Sequence, residues 1–318
     1  MTTEKNLLFG IDDSEFALQS IAKMGNLLKN GEDYRITIFY CAPDPDLTFL
    51  KRALSKYPVA LEEYEKMCAV EEHKIVDRAK DALAKSGVDQ DRLAVVCKGK
   101  CRDPADALLQ LASTQGFETI ALGRRGPARV ERKFMGTLAY QLVQIAEHRP
   151  LWVIDPRISS HDVLVALVGA PIGRRVVGHT VSYFGHLKES RFTFFHVLPP
   201  LPPQYWDSAR ILNAKEREER KRTIKQWMNG YVEEVEKIAN EGKEKLIKAG
   251  IPEENITFKV QAQHRGIARD ILAEFEEGNY GVLVIGRKGF RSIDQFRLGS
   301  KANKLMLSAH ALAACLVN

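Results

Sequence analysis

The chain has 318 residues, 45% of them hydrophobic and 28% charged, with a formal net charge of +6, a composition that fits a globular protein of about two domains. No apolar run approaches the roughly 18 residues of a membrane-spanning helix, and the opening MTTEKNLLFGID has no long apolar signal region, so a cytoplasmic protein without membrane contact is expected. The basic balance does not argue for nucleic acid, because Lys and Arg alternate with acids: within Lys215 to Arg222, Glu216 and Arg220 stand four apart, as do Glu218 and Arg222, the spacing of a solvated helical face.

Asn6 to Ile11 reads as a buried strand, stopped by Asp12, Asp13 and Ser14, which offer caps to a helix bearing Ala17, Ile21, Met24 and Leu28 on one face. Arg35 to Cys41 is a second strand by its β-branched and aromatic content, and Pro43 and Pro45 end it. Leu47 to Ser86 are mostly helix formers, with a break at Pro58 and an end at Gly87. Leu93 to Cys97 is a third strand, followed by a helix over about Ala105 to Ser113 with Pro104 at its first turn. Thr119 to Leu122 is a fourth, buried strand. It runs into Gly123 to Thr137, GRRGPARVERKFMGT, and then into a helix with Leu138, Leu142 and Ile145 at helical spacing. Leu151 to Ile154 is a fifth strand, and Asp155 to His161 a linker.

The order then repeats. Val163 to Val168 and Arg191 to Val197 are strands flanking a helical region from Pro171 to about His186. Pro199 to Pro203 is a stiff loop, and Trp206 to Ala249 a long charged helical region. Strand Ile256 to Val260, helix Gly266 to Glu276 and strand Val282 to Ile285 lead to a second glycine loop, Gly286 to Ser300, GRKGFRSIDQFRLGS. A helix with Ala302, Leu305, Met306 and Ala309, and a last strand, Ala314 to Val317, close the chain. Cys41 and Val197 stand 156 apart, whereas Gly123 and Gly286, like Gly136 and Gly299, stand 163 apart. The register is thus kept on either side of a longer helical insertion in the second half, and domains over 1–155 and 162–318 are expected.

Strands alternating with helices in each half imply an α/β fold: two tandem doubly wound domains, each a five-stranded, mostly parallel sheet with helices on both faces. Such sheets bind ligands beyond the carboxyl ends of their strands, where strand order reverses. Both glycine loops follow fourth strands and so lie on that edge. Glycine lets backbone N–H groups converge on a phosphate. Gly136-Thr137 and Gly299-Ser300 open helices, whose free N–H groups and dipole favour an anion. The hydroxyls of Thr137 and Ser300 add donors, and Arg124, Arg125, Arg287 and Lys288 add charge. For one copy, glycines that merely turn the chain and hydroxyls that merely cap helices weigh equally; two copies favour phosphate.

The five cysteines, Cys41, Cys68, Cys97, Cys101 and Cys315, are odd in number and scattered, which predicts reduced thiols. Only Cys97 and Cys101 lie close in sequence, and no Cys or His spacing marks a metal site. No Walker lysine, GxSxG nucleophile or HRD set is present, so no catalytic residues are assigned.

Both loops carry the pattern G-2x-G-9x-G-[ST], and with it the chain resembles a tandem universal stress protein, each half similar to one complete family domain. The motif is that of the ATP-binding members. The resemblance implies a nucleotide-binding regulatory protein of the stress response, with ATP as ligand, Mg2+ as its companion and AMP or ADP as alternatives, and a protein partner it does not name. By position, Asp12 matches the acidic residue facing ribose or adenine, against a residue-level alternative of capping the next helix. Cys41 matches the residue whose backbone holds adenine. Gly123, Arg124, Gly126, Gly136, Thr137 and Leu138 match the phosphate loop. In the second half Val197 takes the adenine position, and Gly286, Arg287, Gly289, Gly299, Ser300 and Lys301 the phosphate loop. There Val168 stands where Asp12 stands and Gly169-Ala170-Pro171 replaces Asp13-Ser14-Glu15, which predicts a weaker or degenerate site. Because single-domain members pair through edge strands, the resemblance also implies a pseudo-twofold pairing inside the chain, with a homodimer as a further state. Two alternatives stay open: a slow ATPase or nucleotidyl-transfer enzyme using Asp12 or Asp13, and a scaffold that binds proteins through its helical arms without need of nucleotide.

Overall fold

The computed structural model describes residues 4–31, 33–43, 58–101, 103–124, 135–199, 214–287, 299–308 and 312–318. The chain divides into two compact units, Met1–Ser159 with His310–Cys315, and Ser160–Ala309 with Leu316–Asn318. In the first unit, strands β1 (Lys5–Ile11), β2 (Tyr34–Pro43), β3 (Leu93–Cys101), β4 (Thr119–Gly123) and β5 (Leu151–Ile154) run parallel in the order β3-β2-β1-β4-β5. Helices α1 (Glu15–Leu28), α2 (Pro58–Lys85), α3 (Pro104–Thr114) and α4 (Thr137–Ile145) lie between them, as the crossovers that parallel pairing requires.

The second unit repeats the plan with β6 (Val163–Ala166), β7 (Phe192–Leu198), β8 (Ile256–Ala262) and β9 (Val282–Gly286), and the strand order β8-β7-β6-β9 is completed by β10 (Ala313–Val317), of which Ala313 to Cys315 fall to the first unit and Leu316 and Val317 to the second. The pairs of β6 with β7 and β9, and of β7 with β8, are parallel. Its helices are α5 (Ile172–Phe184), α6 (Ala214–Lys248), α7 (Ile267–Glu277) and α8 (Ser300–Ser308). In both units the strand order reverses beside the first strand, between β1 and β4 and between β6 and β9. The expected α/β doubly wound architecture is therefore present twice.

The central strands are continuous apolar runs because both faces are covered: Leu7, Leu8 and Phe9 of β1, and Val163, Leu164 and Val165 of β6, are 0% exposed. Helix α1 buries the predicted face, Ala17, Ile21, Met24 and Leu28, and its N-cap is Ser14, whose side chain accepts the Ala17 N–H. Such a cap satisfies one of the donors that a helix start leaves unpaired.

Three expectations change. Strand β3 runs on to Cys101 instead of stopping at Cys97, because its pairing with β2 continues through a register shift between Cys41 and Pro43; Lys98 pairs with Cys41 in a ladder that needs backbone groups, not apolar side chains. The proline expected to break a helix, Pro58, is instead the first residue of α2, where its missing N–H costs nothing; residues 44–57 lie outside the described ones, as do 200–213. Lastly, the expectation of reduced thiols throughout is corrected. The same β2–β3 pairing joins Cys41 to Cys101 as a disulfide, with Cα atoms 5.9 Å apart, while Cys97 and Cys315 are free.

Candidate functional site

Strand register assembles the site in the first unit. Gly10 is opposite both Phe39 of β2 and Leu122 of β4, and Ile11 is opposite Tyr40. The next residue, Asp12, therefore follows beside Cys41, on the edge where Gly123 ends β4 and Arg124 begins the loop. Asp12, Cys41, Gly123 and Arg124, far apart in sequence, converge at the reversal of strand order.

Asp12 is half-buried. Its Oδ1 accepts the Ser14 N–H at 2.9 Å and the Ser14 hydroxyl, bonds that leave Oδ2 for another donor. Burial pushes its carboxyl above the ordinary value, with the Ser14 bonds opposing. The helix cap is Ser14 itself, so the capping alternative for Asp12 falls away: Asp12 orients the capping residue.

The loop between β4 and α4 is clamped at its base. The Arg124 N–H donates to the Ile154 carbonyl at 2.8 Å, and the Gly136 N–H donates back to the Arg124 carbonyl at 2.8 Å. Gly136 is the N-cap of α4, and no side chain caps it. Thr137 is thus the first helical residue and not a cap, and the first-turn N–H groups of Thr137, Leu138 and Ala139 precede the first intrahelical donor, Tyr140, which bonds the Gly136 carbonyl at 2.9 Å. Such a helix start suits an anion. Gly123 also has a packing reason: a Cβ there would come within 3.1 Å of Ser20 Oγ, so α1 lies close over the end of β4.

The second unit reproduces the clamp. Arg287 N–H donates to the Val317 carbonyl at 2.6 Å, Gly299 N–H to the Arg287 carbonyl at 3.0 Å, and Asn303 N–H to the Gly299 carbonyl at 2.9 Å. Helix α8 opens at Ser300, followed by Lys301. Val197 is buried near the end of β7, and Val168 follows β6 as Asp12 follows β1.

Sequence reasoning read the loop arginines as charge offered to a ligand. The structure instead encloses them: Arg124 and Arg287 are each 2% exposed, and Arg287 Nε donates to Asn318 Oδ1 at 2.7 Å. Gly126 and Gly289, with Arg125 and Lys288, lie outside the described residues.

Residues that sequence reasoning missed also stand on the second edge. His196 is the only polar side chain among the apolar ones of Phe194 to Val197, a signal that was legible. Glu234 and Tyr231 come from α6, and nothing distinguishes them from the other residues of a charged helix. Among the described residues no helix is long and apolar enough to cross a membrane, and no group of three or more His, Cys, Asp or Glu stands placed to hold a metal ion.

The model of the universal stress protein family matches residues 4–155 and again 160–311. The chain belongs to the universal stress protein family. Among solved structures it resembles a universal stress protein from Archaeoglobus fulgidus DSM 4304, with a TM-score of 0.60 at 13% identity over 98% of this chain and 97% of that one. A functionally unknown protein from Pseudomonas aeruginosa PAO1 gives a TM-score of 0.58 at 11% identity, over 98% and 92%. At such identities the likeness is one of fold. No curated protein sequence matches the chain. In this family member, the tandem match coincides with the two clamped loops.

Proposed function

We propose that this universal stress protein is an adenine-nucleotide-binding regulatory protein of the stress response, holding ATP, or ADP or AMP by the same contacts, and that occupancy of the site changes which protein partner it binds. The observation that carries this reading is the coincidence, at one reversal of strand order, of a clamped loop, an uncapped helix start and a half-buried carboxylate. The N–H groups of Thr137 and Leu138 and the Thr137 hydroxyl fit phosphate oxygens. Asp12 Oδ2 fits a ribose hydroxyl, and the backbone at Cys41 fits the adenine edge. A bound nucleotide would supply charge for these donors to hold; Mg2+ would be carried by its phosphates. No residue is assigned to hydrolysis, and regulation requires occupancy alone.

Two sites of unequal strength are proposed, in domains 1–155 and 162–318. The first has its carboxylate on the strand end itself, whereas Val168 has no acceptor to offer. The test is to denature the purified full chain, identify any released nucleotide, and titrate the stripped protein with ATP, ADP and AMP. Saturable binding, stronger for ATP than for adenosine, is expected. Absence of saturable binding of all three nucleotides at millimolar concentration would overturn the proposal.

A further inference from the structure

Val168 leaves the end of β6 without the acceptor that Asp12 gives β1, yet a carboxylate stands there. In the first unit the Ser14 N–H donates to Asp12 Oδ1 at 2.9 Å. The matching N–H in the second unit is that of Ala170, two residues past Val168, and it donates to Glu234 Oε1, also at 2.9 Å. Glu234 belongs to α6 and lies 64 residues further along the chain. Gly169 borders it: a Cβ on Gly169 would be 3.4 Å from both Glu234 Oε1 and Tyr231 Cε2, an ordinary contact distance. The carboxylate is half-buried, and Oε2 takes no part in the bond to Ala170.

His196 brings a second, independent group to the same cluster. It is 2% exposed, and its Nδ1 lies 2.9 Å from the Leu167 carbonyl oxygen. A carbonyl only accepts, so Nδ1 carries the proton. Burial holds the imidazole below its ordinary pKa and therefore neutral at pH 7. Nε2 is then a bare acceptor, and it is buried with no hydrogen-bond partner, an exception among buried polar groups. The ring meets Tyr231 edge-on, with centroids 5.3 Å apart, and Tyr231 in turn borders Gly169. A carboxylate and a bare imidazole nitrogen both accept, so neither recognises phosphate. The half-buried Glu234 carboxylate fits a hydroxyl or amino donor of a ligand whose phosphates are held elsewhere, and the enclosed His196 ring packs behind Tyr231, which borders the same turn.

We infer that Glu234 accepts a ligand hydroxyl in the second unit, doing from a helix what Asp12 does from a strand end, so that this unit takes a phosphorylated ligand bearing donor hydroxyls, of the nucleotide class. The inference rests on the phosphate reading of the clamp between Arg287 and Gly299 and the helix start at Ser300. With Glu234 in place the second site of the proposed pair is not left without an acceptor.

The experiment is equilibrium dialysis of ATP with the full chain, with inorganic tripolyphosphate as competitor, for wild type, Asp12→Ala, Glu234→Ala and the double variant Val168→Asp/Glu234→Ala. Loss of one charge-assisted hydrogen bond corresponds to about tenfold or more in affinity. Glu234→Ala is expected to weaken the weaker ATP site by that factor, leave the stronger site and tripolyphosphate competition unchanged, and be rescued by Val168→Asp, which also controls for misfolding. Unchanged ATP binding in Glu234→Ala would overturn the inference, as would a tightened weak site, the mark of a side chain that plugs the pocket. If the second unit binds tripolyphosphate but prefers ATP no more than that anion, the inference fails and the loop reading stands. If it binds neither, both fail.

Discussion

The two units differ at their first strand ends and agree at their loops. Unit 1 follows β1 with Asp12, Asp13 and Ser14, where unit 2 carries Val168, Gly169 and Ala170 after β6. Yet the loop clamps, Gly136 to Arg124 and Gly299 to Arg287, match in donor, acceptor and position. The long helices α2 and α6 end at Lys85 and Lys248, at the same offset as the loops, which aligns Glu71 with Glu234. Glu71 pairs with Lys74 at 2.7 Å on an exposed face, whereas Glu234 turns in to the Ala170 N–H. An acid at one register position is thus a surface ion pair in one unit, worth little, and an acceptor at the candidate site in the other. Phosphate contacts made by backbone are hard to relocate, because they need the loop's whole conformation. A single carboxylate can come from any neighbouring element long enough to reach.

The largest expected asymmetry is covalent. The Cys41–Cys101 link closes a loop of 60 residues in unit 1, and no disulfide is present among the described residues of unit 2. Reduction should lower the unfolding free energy of unit 1 by about 2–4 kcal/mol and leave unit 2 unchanged, read by urea denaturation with and without reductant and by free-thiol titration. Equal responses of both units would contradict the assignment.

Next in size is the turn after the first strand. Gly173 is the counterpart of Ala17, but a Cβ at Gly173 would overlap the Val168 carbonyl oxygen. Gly173→Ala should therefore cost unit 2 about 1–3 kcal/mol by overpacking, whereas unit 1 already carries alanine at that position. A neutral or stabilising Gly173→Ala would show that the two turns are equivalent after all.

A smaller effect distinguishes Tyr40 from its counterpart His196. The unfolded imidazole takes up its proton near its ordinary pKa of 6.5, but the buried one does so only at lower pH. Unit 2 should then be fully stabilised above that value and lose stability as pH falls below it, since the unfolded state binds the extra proton. His196→Phe should flatten this slope in thermal melts taken between pH 5 and 8. An unaltered slope would assign the proton uptake elsewhere.

Much of the fold was legible because parallel strands covered on both faces are written as continuous apolar runs, as in NLLFGI and in Val282 to Ile285. The position of the two clamped loops was legible for a similar reason: Gly123 and Gly136, like Gly286 and Gly299, mark where strand gives way to loop and loop to helix. The burial of Arg124 and Arg287 was not, because an arginine next to glycine reads as a surface charge. Nor was the Cys41–Cys101 link, since Cys97 is nearer to Cys101 in sequence and only the β2–β3 pairing brings Cys41 alongside. Glu234 is the clearest case. It is one acid among many on a charged helix, and its role depends on a contact between elements that periodicity does not encode.

The most direct test is the ATP isotherm of the intact chain, measured for wild type and Asp12→Ala. The account predicts two unequal classes of site in the wild type, with Asp12→Ala weakening the tighter one by about tenfold or more and leaving the weaker one as it was. Two equal sites, or a tight site that survives Asp12→Ala, would contradict it.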